Sequence, residues 1–193
     1  HYFCLSADNK NAISCETVGT FLIQGIGCKP DMQRAIKYFE HGSELKSALC
    51  KYQLSIIYSI DDRNKSLRYL KESADLGFLP AQQDYIKFLL YTEKNDKEAE
   101  KYLRLAANQN DAESCINLSD LLKRSNNAIK KREAFLLLKK AANLWNSDAM
   151  LRLGKIIGGQ KDLSYGIDVK TDTNLAMKYL KNAADQGKNA EAF

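Results

Sequence analysis

Few residues in this chain have types and spacing that could do chemistry. The 193 residues include two histidines, His1 and His41, and neither stands near a Ser or Cys in a nucleophile motif. Ser43-Glu44-Leu45-Lys46 spells SxxK, in which a lysine sits beside a serine nucleophile, but the companion motifs of that chemistry are missing. Asp61-Asp62 is a carboxylate doublet of the kind used for acid–base work. Gly25-Ile26-Gly27 and Gly158-Gly159 lack the GxxxxGK[ST] or GxGxxG spacing of a phosphate loop. Cys4, Cys15, Cys28, Cys50 and Cys115 are odd in number and show no CxxC or metal spacing. Unpaired cysteines often serve as small buried hydrophobes, and helix packing is their expected role; Cys4 and Cys15, on successive helices, could also pair in an oxidising compartment. Asn64-Lys65-Ser66 and Asn117-Leu118-Ser119 are glycosylation sequons, but Asn117 falls inside a helix beside a packing leucine. These residue types and spacings predict a non-enzymatic chain with no catalytic, metal or cofactor site.

The elements that would position any site are helical. Apolar residues make up 45% of the chain and charged residues 27%, the composition of a folded domain, while the only prolines are Pro30 and Pro80. The net charge of +5 arises from 29 basic and 24 acidic residues that alternate along the chain, so nucleic acid is not implied. No apolar run approaches the ~20 residues of a membrane-spanning helix, and HYFCLSADNK lacks the regions of a signal peptide. The odd cysteine count favours the cytoplasm, with a periplasmic or secreted location open if a signal was removed.

A pattern recurs along the whole chain. Tyr2, Tyr38, Tyr69, Tyr102, Leu137 and Tyr179 are separated by 36, 31, 33, 35 and 42 residues, a period that indicates an array of supersecondary units. The next position is always large and apolar, from Phe3 and Phe39 to Leu180. Four and five residues after each anchor stand only small residues: Ser6-Ala7, Gly42-Ser43, Ser73-Ala74, Ala106-Ala107, Ala141-Ala142 and Ala183-Ala184. Three before it, Ala35, Ser66, Ala99, Ala134 and Ala176 are also small, and seven before it come Asp31, Asp62, Asn95, Lys130 and Asp172, four of which can cap a helix. The same capping column accounts for Asp62 of the carboxylate doublet, and the small column accounts for Ser43 of SxxK.

Twelve residues after each anchor a second helix, helix A, is expected to begin, at Ser14, Cys50, Ala81, Ser114 and Ala149. Apolar residues four and eight positions on give it one packing face. Between those sits a column of Gly19, Ser55, Ile86, Ser119 and Gly154, mostly small, which permits close approach of the anchored helix, helix B. The A-to-B connection carries the length variation, and its longest form is Gly158 to Asp172.

These columns resemble the Sel-1-like repeat, a relative of the tetratricopeptide repeat whose units read roughly A-x3-L-G-x2-Y, a glycine loop, D-x3-A-x3-Y and A-A-x2-G. Ala149, Leu153-Gly154, Asp172, Ala176, Tyr179, Ala183-Ala184 and Gly187 carry the pattern in the last unit, and Gly19, Gly25-Ile26-Gly27, Asp31, Ala35 and Tyr38 in the first full unit. Ile86 and Lys130 depart from it, which implies looser or irregular packing in the middle units. The resemblance implies an all-α, right-handed superhelical solenoid, a single repeat array over 1–193. Its parts are helix B of a preceding unit (1–13), five helix pairs (14–49, 50–80, 81–113, 114–148 and 149–189) and the start of a further helix (190–193).

It also implies an adaptor or scaffold that binds a protein or peptide, with helix A lining a concave groove. Residues two and six after each helix A start would face that groove: Glu16, Thr20, Tyr52, Ile56, Gln83, Lys87, Ile116, Asp120, Leu151 and Lys155. Tyr52, Ile56, Ile116 and Leu151 would give it an apolar strip with a charged rim. The alternative is an inhibitory or immunity protein that neutralises an enzyme or toxin through the convex face or the 158–172 loop. Trp145, the sole tryptophan, is expected to cover the end of the next helix. Lys130-Lys131-Arg132 with Lys139-Lys140 is expected to be a solvated helix face.

Overall fold

The computed structural model describes residues 11–160, 165–166 and 169–191. All regular elements among them are helical. They run α1 (Ala12–Gln24), α2 (Met32–Glu44), α3 (Ala48–Ile57), α4 (Arg63–Asp75), α5 (Leu79–Lys87), a π-helical turn (Phe88–Glu93), α6 (Asp96–Asn108), α7 (Ala112–Lys123), α8 (Ala128–Asn143), α9 (Ser147–Ile157) and α10 (Thr173–Glu191). Odd-numbered helices are helix A and even-numbered ones helix B of successive repeats. The fold is an all-α array of tandem helix pairs. The first copy of the anchor, Tyr2 with Phe3 and Ser6-Ala7, lies outside the described residues, as does Cys4.

The small columns set the distance between paired helices. A methyl group added at Gly19 would collide with the Phe39 ring, and one at Gly154 would come within 2.9 Å of Leu180 Cγ. Ser119 occupies the same column and bonds the Ala134 carbonyl of its partner helix at 2.7 Å, while Ser66 reaches the Ser55 carbonyl at 2.7 Å. Backbone-to-backbone approach is what these residues permit. A second close contact joins consecutive pairs, where Gly42 of α2 faces the Cys50 sulfur and lies near Cys15, both thiols fully buried.

One turn joins α2, α4, α6 and α8 to the helix A that follows each of them. In it the residue eight after the anchor takes a left-handed backbone: Lys46 (φ 61°), Gly77 (88°), Asn110 (64°) and Trp145 (63°). Its N–H bonds the carbonyl of Ser43, Ala74, Ala107 or Ala142, and the following N–H bonds that of Gly42, Ser73, Ala106 or Ala141. Helix-end carbonyls are thereby satisfied. The next residue at once caps helix A: Ser47, Asp111 and Asn146 accept from the N–H groups of Cys50, Ser114 and Ala149, as Asn11 does from Ser14. Phe78 occupies this place before α5 without a side-chain cap, and Pro80 supplies the helix start instead. This turn explains the constant spacing from anchor to helix A.

Two expectations need correction. Helix A begins two residues earlier than its small column, because the caps Asn11, Ser47, Asp111 and Asn146 start it there. Ser14, Cys50, Ala81, Ser114 and Ala149 are instead buried inside the first turn. In the fourth repeat helix B begins at Ala128, capped by Asn127, whose Oδ1 accepts from Ile129 and Lys130. Lys130 is thus inside the helix. Asp31, Asp62, Asn95 and Asp172 cap their helices as expected.

The chain divides into two compact units, His1–Thr92 and Glu93–Phe193. The boundary falls inside the third repeat, at the last residue of the π-helical turn that follows α5. This is the repeat in which the close-approach column holds Ile86, 2% exposed, in place of Gly or Ser.

Candidate functional site

In the first unit the candidate residues lie on α1, α3 and α5, where polar bonds tie one helix A to the next. Glu16 of α1 accepts the Ser47 hydroxyl at 2.5 Å, the same oxygen that caps α3, and the Glu16 carbonyl takes the Thr20 hydroxyl at 2.8 Å. Tyr52 of α3 donates to Asp84 Oδ2 of α5 at 2.8 Å, and its ring lies 5.3 Å from that of Phe78. Burial, with the Asp84 hydrogen bond and charge, pushes the Tyr52 hydroxyl up to about 12. Lys87 pairs with the other Asp84 oxygen at 3.7 Å, and Gln83 is half-buried beside them. Ile56 stands out from this polar frame at 49% exposure.

In the second unit the candidates lie on α7 and α9. Asp120 of α7 accepts from Arg152 of α9 at 2.8 Å and from Lys123, while Arg152 also pairs with Asp148. Burial pulls the Asp120 carboxyl upward, but the hydrogen bonds and charges of Lys123 and Arg152 carry it below its ordinary value. Lys155 and Leu151 are exposed. Ile116 is 7% exposed and faces the interior, so it offers little surface to a partner.

The 158–172 loop is described at Gly158–Gln160, Tyr165–Gly166 and Val169–Asp172. Tyr165 is a residue that the repeat period cannot reveal, since the loop has no counterpart elsewhere. Its ring is buried against Phe135 (centroids 6.1 Å apart) and its hydroxyl lies 3.2 Å from the Ser119 hydroxyl, so the loop is pinned onto the fourth repeat. Beside it opens a cavity of about 770 Å³ whose walls include Phe135, Lys139, Ile157, Lys170 and Tyr179. A second cavity, of about 320 Å³, lies between the end of α8, the start of α9 and α10. Trp145 lines it and is 63% exposed, so it does not seal a helix end as expected.

The residues of the SxxK motif do not form a dyad. The Ser43 hydroxyl takes a hydrogen bond from Lys51 at 3.3 Å, and Lys51 is paired with Glu72. The basic cluster on α8 is only partly solvated: Lys130 pairs with Glu100 at 3.5 Å, and Lys140 donates to the Ala107 carbonyl at 2.6 Å. Burial raises the Cys50 thiol to about 12, against lowering by its Ser47 hydrogen bond. Among the described residues no group of three or more His, Cys, Asp or Glu is placed to hold a metal ion. No helix among them is long and apolar enough to cross a membrane.

The Sel1 repeat pattern matches residues 18–47, 52–78, 88–111, 112–144 and 147–188. The chain belongs to the Sel1 repeat family. No curated protein matches it in sequence. A crystal structure of a Sel1 repeat protein from Oxalobacter formigenes is similar to it at a TM-score of 0.76 and 19% identity, over 92% of this chain and 74% of that one. Another is c5321, a protective antigen of uropathogenic Escherichia coli strains with an SLR fold, at a TM-score of 0.71 and 22% identity; it covers 96% of this chain, which spans 40% of c5321. The immunity protein Pa5087 from Pseudomonas aeruginosa is similar at a TM-score of 0.52 and 15% identity, over 95% of this chain and 71% of that one. At these identities the likeness concerns the fold alone.

Proposed function

We propose that this chain is a non-enzymatic interaction module that holds a segment of another protein against its helix A residues. Sel1 repeat proteins are generally non-enzymatic scaffolds, and protein interaction is the typical role of the repeat. The observation that carries the reading here is that, within each unit, polar bonds tie one helix A to the next. Glu16–Ser47 and Tyr52–Asp84–Lys87 in the first unit, and Asp120–Arg152 in the second, tie polar side chains together, and Ile56 and Leu151 on the same helices are exposed. A surface ordered before binding loses less side-chain freedom when a partner docks. Glu16, Thr20, Tyr52, Ile56, Gln83 and Lys87 form the contact set of the first unit, and Asp120, Leu151 and Lys155, with buried Ile116 supporting them, that of the second.

The test combines capture of a partner from native lysate with the double substitution Tyr52→Ala and Ile56→Asp. Loss of the captured protein with helicity retained supports the assignment; undiminished capture removes it. A second reading, a protein that neutralises an enzyme or toxin, draws on the fold shared with an immunity protein and on the pinned 158–172 loop. Under that reading the purified chain inhibits its target at one-to-one stoichiometry, and Tyr165→Ala weakens inhibition without unfolding the helices.

A further inference from the structure

The groove between the end of one helix B and the start of the next helix A recurs along the chain, and it is filled differently in each copy. After α2, Lys51 fills it, bonding the Ser43 hydroxyl, pairing with Glu72 and lying 5.9 Å from the Tyr69 ring centre. After α4, Gln82, 1% exposed, donates its side-chain N–H to the Ala74 carbonyl at 3.1 Å. After α6, Lys140 donates to the Ala107 carbonyl at 2.6 Å. Each time a side-chain nitrogen, twice that of a lysine, meets an oxygen of the residue five after the anchor, the hydroxyl of Ser43 or the carbonyl of Ala74 or Ala107.

After α8 the corresponding residues are Ala142, Met150 and Asn182. Met150 stands where Lys51 and Gln82 stand, and Asn182 where Lys140 stands. Among the described residues no side-chain nitrogen reaches the Ala142 carbonyl, and the groove is instead the 320 Å³ cavity lined by Ala142, Asn143, Trp145, Met150, Tyr179 and their neighbours. Trp145 holds the left-handed position at its mouth, at φ 63°. Bulky residues seldom adopt this conformation, and such strain gathers at functional positions.

We propose that this groove takes the lysine side chain of a partner protein, in the place that Lys51 and Lys140 occupy in earlier repeats. The ammonium would meet the Ala142 carbonyl and the amide oxygens of Asn143 and Asn182, and the Trp145 and Tyr179 rings would flank it as aromatic faces flank a cation. The apolar stem would lie on Met150. Lys178, also on the wall, is exposed, so water screens its charge, and binding of an isolated side chain is correspondingly weak. This inference deepens the interaction role proposed above and rests on it.

Trp145 is the sole tryptophan, so its emission reports on the groove directly. The probe is a capped Ala-Lys-Ala tripeptide, compared with versions carrying acetyl-lysine or glutamate at the centre. The expected result is a saturable change in emission in the millimolar range, at least about tenfold weaker for both control peptides. Met150→Gln, which repeats Gln82, and Asn182→Lys, which repeats Lys140, each abolish the response while melting behaviour is kept; the second lies on a helix surface and guards against misfolding of the first. No saturable change, equal responses to the three peptides, or a full response in both folded variants overturns the proposal. A chain that holds a partner through Tyr52 and Ile56 yet ignores the lysine peptide loses this groove and keeps its interaction role.

Discussion

The first and third repeats use the same column of helix A in opposite ways. In the first, Gly19 lets the Phe39 ring come so close that no side chain fits between α1 and α2. In the third the column holds Ile86, buried at 2%, followed by a π-helical turn, and it is in this repeat that the two compact units divide. An isoleucine cannot be accommodated at the separation seen around Gly19.

The largest expected effect comes from emptying the third-repeat position. Ile86→Ala should cost about 3 kcal/mol, the usual loss for truncating a buried isoleucine. Hydrogen exchange should localise that loss to the first unit, leaving α7 to α10 protected. If protection fell equally in both units, the partition at the third repeat would be wrong. The converse change, Gly19→Val, should cost about 2 kcal/mol through overpacking against Phe39, and Gly154→Val a similar amount against Leu180, both read from urea denaturation. Wild-type stability in either would remove the close approach on which the comparison stands.

Smaller effects sharpen how individual repeats begin. Asn127→Ala should cost about 1 kcal/mol as a lost cap, while Lys130→Ala should be close to neutral. The reverse ranking would restore the periodic start of α8. The smallest effect is a pH response. Tyr52 ordinarily loses its proton near 10.0 and holds it to about 12 in the folded chain. A raised folded-state value means the folded form binds the extra proton, so this contribution is full below about pH 10 and fades as pH climbs toward 12. Tyr52→Phe should flatten the melting profile across that window relative to wild type.

Much of this was legible in the sequence because repetition supplies its own control. The anchor tyrosines, the paired small residues and the caps Asp31, Asp62, Asn95 and Asp172 recur at fixed spacing, and each such column has one physical cause. The start of helix A was less legible: its small residues are conspicuous, but the cap is set by the left-handed turn, and Asn11, Ser47, Asp111 and Asn146 share an oxygen rather than a residue type. Periodicity assigns a direction to Ile116 but not its depth, which depends on what packs over it. Tyr165 lies in a loop that occurs once, so no column marks it. The proposed lysine groove has no column of its own, because Lys51, Gln82 and Lys140 reach the residue five after the anchor from different helix positions.

The sulfur of Cys50, wedged beside Gly42, gives the molecule a chemical clock. Its thiol holds its proton to about 12, and only the thiolate reacts with an alkylating reagent. Cys28 is exposed and open to labelling from the outset. Cys50 can be modified only after α2 and α3 part, so the lag between the two labels counts how often the first two repeats separate.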